Sequence, residues 1–231
     1  MYVTSLTTGG HMSKGLGHFP HKDSRDALFT MGDNLNDVIE VPDATVWERG
    51  DSTDQGREGA CVGFGWGNWH NCKPKGYMNQ VDNTYCFGIY RRAQENDAWP
   101  GTDYEGTSVR AGAKTMLERF LLDTYLWARS LDELDAWLLT KGPVVVASNW
   151  YRSMDTLTSS NFVQVDVNSG VRGGHCYLLY GKDEQNRYYF QNSWGDDYGD
   201  GGSFYMSLNG LKALWNFGQF EAVTAVQTRA A

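Results

Sequence analysis

The sequence predicts an α+β protein with two lobes, the first half mainly helical and the second half mainly antiparallel sheet. Apolar residues recur at helical spacing in the first half, whereas runs of β-branched and aromatic residues, separated by turn residues, dominate after Pro143. With 231 residues, of which 41% are hydrophobic, the chain can bury the core of one domain. A cleft between the two lobes is the expected place for a functional site.

Three helices are predicted before residue 142. The first begins at Cys61, and because a helical glycine costs roughly 1 kcal/mol relative to alanine, tertiary packing must stabilise it. Its glycines, which would allow close approach of a neighbour, are Gly63, Gly65 and Gly67. The second is capped by Thr107 or Ser108, and the third opens with the capping-box pattern Ser130–Glu133 and ends at Gly142-Pro143.

Five strands are predicted in the second half, each rich in β-branched or aromatic residues. Turn residues at 183–186 and 199–202 separate several of them. The predicted strands are Val144–Ala147, Cys176–Tyr180, Tyr188–Gln191, Phe204–Leu208 and Glu221–Val226.

Composition excludes several classes of function. The net charge of −8 argues against a nucleic-acid-binding surface, which is usually basic. No apolar run approaches the length of a membrane span, and residues 1–31 lack the apolar core of a secretory signal. Four cysteines are too few for a dense disulfide framework. Cys72 and Cys86 could pair, but without an export signal we expect free thiols and a cytoplasmic or virion-associated protein.

Three residues in separate glycine-rich or aromatic settings suggest a nucleophilic site. Cys61 follows a glycine-rich loop, His175 follows two glycines and opens a strand, and Asn192 precedes Ser-Trp-Gly. Alone, each is more often structural: a buried thiol, a core or turn histidine, a turn asparagine. Together they supply a nucleophile, a base and a group that orients the base. A helix N-terminus and a nearby imidazolium would both lower the pKa of the Cys61 thiol.

Two further residues extend this hypothesis. Gln55 lies before Cys61, where its amide could donate to a developing oxyanion together with the backbone N–H of Cys61. Trp194 follows Asn192 and could shield the hydrogen bond between histidine and asparagine from water. A hairpin of the strands containing His175 and leading to Asn192 would bring these two side chains together.

These motifs resemble those of the papain-like cysteine peptidases. Gln55-Gly56 with Gly59-Ala60-Cys61 is similar to the family's oxyanion and nucleophile motif, Gly174-His175 to its histidine motif, and residues 192–202 to its asparagine motif and following glycine-rich turn. The resemblance covers residues 41 to about 226. It implies a two-lobed fold with an antiparallel, barrel-like β lobe and an active-site cleft between the lobes.

The resemblance also divides the chain. Residues 41–231 would be the catalytic domain, with a helical lobe at about 55–140 and a β lobe at about 141–226. Residues 1–40 would be an N-terminal extension, too short for the family's usual inhibitory prodomain. Glu58 and Val62 replace the cysteine and the aromatic residue of the common local signature, and Cys61 and His175 are closer than its roughly 130–150 residues. The sequence is more similar to compact bacterial or phage members.

By resemblance, Cys61 is the nucleophile, His175 the general acid and base, Asn192 the orienting group and Gln55 the oxyanion donor. The reaction would be hydrolysis of a polypeptide substrate through an acyl-enzyme, with no metal or organic cofactor. Ala147 and Cys176 would line, and Trp194 would border, the substrate site, and the small side chains of Ala147 and Cys176 suggest room for an apolar substrate side chain. Two alternatives remain: an amide hydrolase acting on peptidoglycan or isopeptides, and a non-catalytic structural module of a phage particle. The oligomeric state is not predicted.

Overall fold

A computed structural model describes residues 14–74, 81–120 and 122–226. Five α-helices lie in this part of the chain: α1 (Cys61–His70), α2 (Asn83–Asn96), α3 (Val109–Phe120), α4 (Leu131–Thr140) and α5 (Leu208–Phe217). The strands are β1 (Thr45–Val46), β2 (Thr124–Trp127), β3 (Val144–Tyr151), β4 (Val171–Lys182), β5 (Arg187–Gln191), β6 (Ser203–Ser207) and β7 (Glu221–Val226). Short 3-10 helices lie at Ser24–Leu28, Gly32–Asn34 and Arg152–Asp155.

The seven strands form one antiparallel sheet in the order β2-β7-β3-β4-β5-β6, and β1 pairs with β4. Within the described residues β2 and β6 are its edges, so the sheet is open and does not close into a barrel. The predicted α+β class is therefore confirmed, with an open sheet in place of a barrel.

Both faces of the sheet are buried, and alternate residues of β3 face different helices. Val144 and Val146 join a core with α4 and α5, which contribute Leu134, Trp137, Leu138, Leu211 and Leu214. Val145 and Ala147 join a second core with α1, α2 and α3, which contribute Val62, Trp66, Trp69, Ile89, Ala113 and Met116. The period of two along the strand thus places the sheet between two helical layers.

The predicted helices at Cys61 and Ser130 begin where the sequence indicated. Ser130 Oγ accepts from Glu133 N at 3.1 Å, and Ser108 Oγ accepts from Ala111 N at 3.2 Å, so hydroxyl caps satisfy free N–H groups of the first turns. All five predicted strands are present, and β3 and β4 are longer than expected.

Four elements were not predicted: α2, α5, β1 and β2. The sequence does contain a start signal for α2 that the prediction overlooked. Asp82 is its N-cap, and the Asp82 carboxylate accepts from Tyr85 N at 2.8 Å. Helix α5 begins immediately after β6, and the predicted strand Phe204–Leu208 extends into its first residue, Leu208. Strand β2 belongs to the sheet although it lies before Pro143, since it pairs with β7.

The glycines of α1 allow the close packing that the sequence predicted. A Cβ at Gly63 would lie 2.5 Å from the Cys86 carbonyl oxygen and 2.6 Å from the Tyr90 backbone nitrogen. A Cβ at Gly65 would lie 2.6 Å from the Cys176 sulfur of β4. The backbone of α1 therefore contacts the backbone of α2 on one side and the Cys176 side chain of the sheet on another, and an alanine on either side would push a neighbour away.

The four cysteines all lie in the described residues and are free thiols, as expected for Cys72 and Cys86. Within residues 14–74, 81–120 and 122–226, none of the helices is long and apolar enough to cross a membrane.

Replacing Gly63 by alanine tests the backbone contact between α1 and α2. We expect Gly63→Ala to lower the free energy of unfolding by about 1–3 kcal/mol, because overpacking outweighs alanine's better helix propensity. The matched control is Gly88→Ala in α2, where the new Cβ would meet only the Arg119 guanidinium at 3.4 Å. That variant should be neutral or slightly more stable. Urea unfolding curves give both values, and equal stabilities would contradict this packing.

Candidate active site

The side chains of His175 and Asn192 are brought together by the β4–β5 hairpin. In its register Leu178 lies opposite Gln191, so His175 in β4 and Asn192 at the end of β5 approach each other. His175 Nε2 donates to Asn192 Oδ1 over 2.8 Å, and both residues are fully buried. Because an amide oxygen only accepts, the neutral ring carries its proton on Nε2. Nδ1 is then an acceptor, buried and without a hydrogen-bond partner in the described residues.

Aromatic rings surround the His175 imidazole. Trp194 stacks on it with centroids 4.8 Å apart, and Trp150 contacts it edge to face at 5.0 Å. Trp194 is only 4% exposed, so its ring shields one face of the imidazole from solvent. Trp150 was not predicted at the site, because the predicted strand ended at Ala147.

Cys61 is the first residue of α1 and lies next to the strand that carries His175. The backbone N–H of Cys176, the residue after His175, is close enough to the Cys61 thiol to favour its ionised form. The N–H groups of Cys61 and Val62, in the first turn of α1, act in the same direction. Cys61 is 0% exposed.

Burial dominates the ionisation of both groups in this structure. It raises the pKa of the Cys61 thiol to about 12, and the three backbone N–H groups offset only part of the rise. It lowers the pKa of His175 to about 3, although the hydrogen bond that His175 donates to Asn192 acts to raise it. At pH 7 the Cys61 thiol and the His175 imidazole are therefore both neutral. The lowered thiol pKa expected from the helix N-terminus is absent here, because solvent is excluded.

Gln55 is fixed by three contacts. Its backbone N–H donates to the Ser193 carbonyl at 2.9 Å, its Oε1 accepts from Ser193 Oγ at 2.5 Å, and its Nε2 donates to the Glu58 carbonyl at 2.7 Å. Nε2 also faces the carbonyl of Leu16 at 3.5 Å. The amide is thus oriented by the residue next to Asn192, and one N–H points toward the N-terminal segment. Ser193 was not singled out from the sequence.

Ala147 and Cys176, predicted to line a substrate pocket, are directly paired in the sheet and are both fully buried. The sulfur of Cys176 points toward Gly65 of α1. On its other side Ala147 pairs with Glu221, the first residue of β7.

Residues 14–19, which we call the arm, run across this site. The Gly15 N–H donates to the Gly56 carbonyl at 3.1 Å. The N–H groups of Gly17 and His18 both donate to the Gly174 carbonyl at 3.0 Å, and that of Phe19 donates to the Thr107 carbonyl at 2.9 Å. The Gly15 carbonyl accepts from the Trp194 indole N–H at 3.2 Å, and the Gly17 carbonyl accepts from the Thr107 backbone N–H at 2.9 Å. The partners on the body of the protein are Gly56, Gly174, Thr107 and Trp194. Every predicted catalytic motif is therefore in contact with the arm or beside a residue that is.

Two glycines allow the arm to lie this close. A Cβ at Gly15 would be 2.1 Å from the Glu58 carbonyl oxygen, and one at Gly17 would be 2.1 Å from the Gly59 carbonyl oxygen. Gly17 also has a φ of 130°, which side-chain-bearing residues rarely adopt. The sequence pattern Gly-x-Gly is the one signal that could have indicated such an approach.

No group of three or more His, Cys, Asp or Glu side chains in the described residues is arranged to hold a metal ion.

Comparison with solved structures finds the same fold. Xylellain, a cysteine protease from Xylella fastidiosa, superimposes with a TM-score of 0.70 at 18% identity, over 94% of this chain and 97% of that chain. Recombinant stem bromelain precursor gives 0.61 at 13% identity, over 94% and 76%. Digestive procathepsin L2 proteinase from Tenebrio molitor larval midgut gives 0.51 at 18% identity, over 92% and 74%. A search of curated proteins gives no significant match.

The sequence itself matches a family model. Residues 54–215, more than half of the chain, match the model described as papain family cysteine protease. The match contains Gln55, Cys61, His175, Asn192 and Trp194, and it agrees with the structural neighbours and with the resemblance seen in the motifs. The chain therefore belongs to the papain family of cysteine proteases.

Proposed function

We propose that this protein hydrolyses peptide bonds by a Cys61–His175–Asn192 triad and that the arm holds it in a latent form. The proposal rests on the tautomer of His175, which its hydrogen bond to Asn192 fixes. It leaves Nδ1 of His175 as an unpartnered base, in the strand whose next backbone N–H faces the Cys61 thiol.

The chemistry proceeds in two halves. As the Cys61 sulfur bonds to the substrate carbonyl carbon, its proton passes to His175 Nδ1. When the C–N bond breaks, that proton leaves with the amine, and an acyl group remains on sulfur. Water then attacks the acyl carbon and gives a proton to His175. Breaking the C–S bond releases the acid, and the proton returns to the sulfur. Asn192 keeps Nδ1 directed at the reacting atoms in both halves.

The oxyanion that forms in each half needs hydrogen-bond donors. The second N–H of Gln55 Nε2 is suited to this role, because Glu58 and Ser193 fix the amide and leave this N–H toward the arm. The backbone N–H of Cys61, at the start of α1, is the second donor. In the latent form the Leu16 carbonyl occupies the Gln55 N–H weakly, at 3.5 Å.

Burial raises the pKa of Cys61 and lowers that of His175. We propose that the arm, which is hydrogen-bonded to Gly174 and to Trp194 beside this pair, supplies part of that burial. When the arm leaves, water reaches both groups, and the thiolate–imidazolium pair becomes favourable again. Departure of the arm therefore opens the cleft and activates the nucleophile in one step.

Covalent labelling tests the proposed nucleophile. In protein carrying Gly17→Ala, whose added Cβ should expel the arm, a peptidyl electrophile should modify Cys61, and adding Cys61→Ala should abolish both labelling and peptide hydrolysis without changing the melting temperature. Cys72→Ala is the matched control, since Cys72 lies outside the site. This variant should still be labelled and should still hydrolyse the peptide. Mass spectrometry locates the modified residue. Hydrolysis that survives in purified Cys61→Ala would remove this residue from the mechanism.

Gln55→Ala should lower kcat by roughly 10²-fold or more, as expected for the loss of one oxyanion donor. KM should change less, because the bond strengthens as charge develops on the substrate oxygen. Steady-state kinetics on a fluorogenic peptide give both values. An unchanged kcat would exclude Gln55 from the reaction.

Expelling the arm tests latency. Gly17→Ala introduces a Cβ 2.1 Å from the Gly59 carbonyl oxygen, so we expect the arm to leave and activity to rise. A clash of about 1–3 kcal/mol corresponds to a rise in activity of roughly 5- to 150-fold. The matched control is Gly101→Ala, which has a positive φ of 78° and no neighbour within 4 Å, and it should leave the rate unchanged. Equal rates for the two variants and the parent protein would contradict occlusion by the arm.

A further inference from the structure

The amide of Asn192 is held at its oxygen end, whereas its nitrogen end has no firm partner. Its Oδ1 accepts from His175 Nε2 at 2.8 Å and from the Ser193 backbone N–H at 2.9 Å. Its Nδ2 is buried and forms no hydrogen bond of ordinary geometry with any of the described residues. An amide nitrogen carries two N–H donors, and a buried donor without an acceptor is costly, so this atom needs a partner.

Tyr198 offers an acceptor beside this nitrogen. Its hydroxyl oxygen is also buried, and among the residues that the structure describes it too lacks a partner of ordinary geometry. Burial raises the pKa of the Tyr198 hydroxyl, whereas the Asn192 side chain, as a hydrogen-bond donor to the phenolic oxygen, acts to lower that pKa. The donor and the acceptor that lack partners are therefore neighbours, and a small rotation of the amide brings them into hydrogen-bond geometry.

The turn after β5 fixes Tyr198 next to Asn192. The Asn192 N–H donates to the Gly202 carbonyl at 2.9 Å, and the Gly202 N–H donates to the Tyr198 carbonyl at 2.8 Å. The Tyr198 ring packs edge to face against Trp194 with centroids 4.9 Å apart, and Trp194 stacks on His175. Both the backbone and the ring of Tyr198 are thus held at the site, and the hydroxyl is the part of this side chain without an evident function.

We propose that Tyr198 is a positioning residue, whose hydroxyl accepts from Asn192 Nδ2 and holds the Asn192 amide in the orientation that receives the His175 Nε2–H. This inference rests on the proposed function and deepens it, because Asn192 acts there by orienting His175. His175 and Ser193 hold the oxygen end of the amide, and Tyr198 holds the nitrogen end. The amide then cannot turn about its Cβ–Cγ bond without losing hydrogen bonds at both ends.

The proposed role belongs to the hydroxyl and not to the ring. Tyr198→Phe keeps the packing against Trp194 and removes only the acceptor. Asn192 Nδ2 is then buried without a partner, so the amide gains by turning away, and its bond to His175 weakens. In full-length protein carrying Gly17→Ala we expect kcat to fall about three- to tenfold, with little change in KM because substrate contacts persist.

A double-mutant cycle tests whether Tyr198 acts through Asn192. In the same background, Tyr198→Phe should lower kcat when Asn192 is present and should have no further effect in Asn192→Ala. Equal fold losses in both backgrounds, or an unchanged kcat in Tyr198→Phe alone, would overturn the proposal.

Tyr188→Phe is the matched control for this cycle. It removes a hydroxyl that donates to the Asp135 carboxylate at 2.9 Å, at the other end of β5 from Asn192. Asp135 keeps its ion pair with Lys182, so this variant should fold and keep the kcat of the background protein.

NMR of the arm-covered protein measures the contact without any activity. The signals of the Asn192 side-chain NH₂ group are identified by their loss in Asn192→Ala. Tyr198→Phe should move one of the two proton signals upfield, and Tyr188→Phe should move neither. If Tyr198→Phe does not fold, the parent protein decides: a nuclear Overhauser effect between the Asn192 Nδ2 protons and the Tyr198 ring supports the contact, and its absence overturns it.

The two sets of measurements separate this inference from the proposed function. Asn192 signals that stay in place in Tyr198→Phe, in a protein that hydrolyses peptides once the arm is expelled, would overturn the role of Tyr198 and leave the peptidase. Shifted signals in a protein that hydrolyses no peptide would overturn the peptidase and support the hydrogen bond.

Discussion

The site depends on the contact between the backbone of α1 at Gly65 and the Cys176 side chain of β4. A Cβ at Gly65 would lie 2.6 Å from the Cys176 sulfur, so only glycine lets the helix come this near to the sheet. Cys61 is one turn before Gly65, and His175 is one residue before Cys176. The same contact therefore brings the first turn of the helix, with its free N–H groups, against the strand that carries the imidazole. A bulkier residue at position 65 would separate the nucleophile from its base.

Close packing has a second consequence, which is the exclusion of water. Trp150 and Trp194 cover the imidazole, and the arm covers the cleft, so that the thiol and the imidazole are both neutral. The hydrogen bond to Asn192 fixes the proton on Nε2 in this state as well. In the proposed mechanism, the arrangement of His175 and Asn192 is already in place while both reactive groups are neutral. Activation would then require water to reach the thiol and the imidazole, without a rearrangement of the sheet or of α1.

Much of the site could be predicted from the sequence because it is encoded locally. The hairpin that joins His175 to Asn192 follows from two apolar runs and a turn, and the N-terminus of α1 follows from the loop that precedes Cys61. The sequence could not reveal the ionisation state, since the helix N-terminus favours thiolate and only tertiary burial reverses it. Helix α5 was missed because its start is continuous with the apolar pattern of β6.

The course of the arm could not be predicted for a similar reason. Its backbone hydrogen bonds go to Gly56 and Thr107 in two separate loops and to Gly174 in β4, and the spacing of residues in the sequence does not indicate such contacts. Residues 14–19 fall within the predicted N-terminal extension, and nothing in their sequence indicates where that extension lies. Gly15 and Gly17 were visible, but glycines in an irregular segment are usually turn residues.

The central claim is that the arm-covered protein holds a neutral His175 with its proton on Nε2. NMR of the histidine ring nitrogens in the full-length protein at pH 7 measures this directly, with His175→Ala identifying the signals. We expect the neutral Nε2–H tautomer, unchanged as the pH falls to 5, because a pKa lowered to about 3 lies below that range. A doubly protonated ring at pH 7, or a proton on Nδ1, would contradict the account.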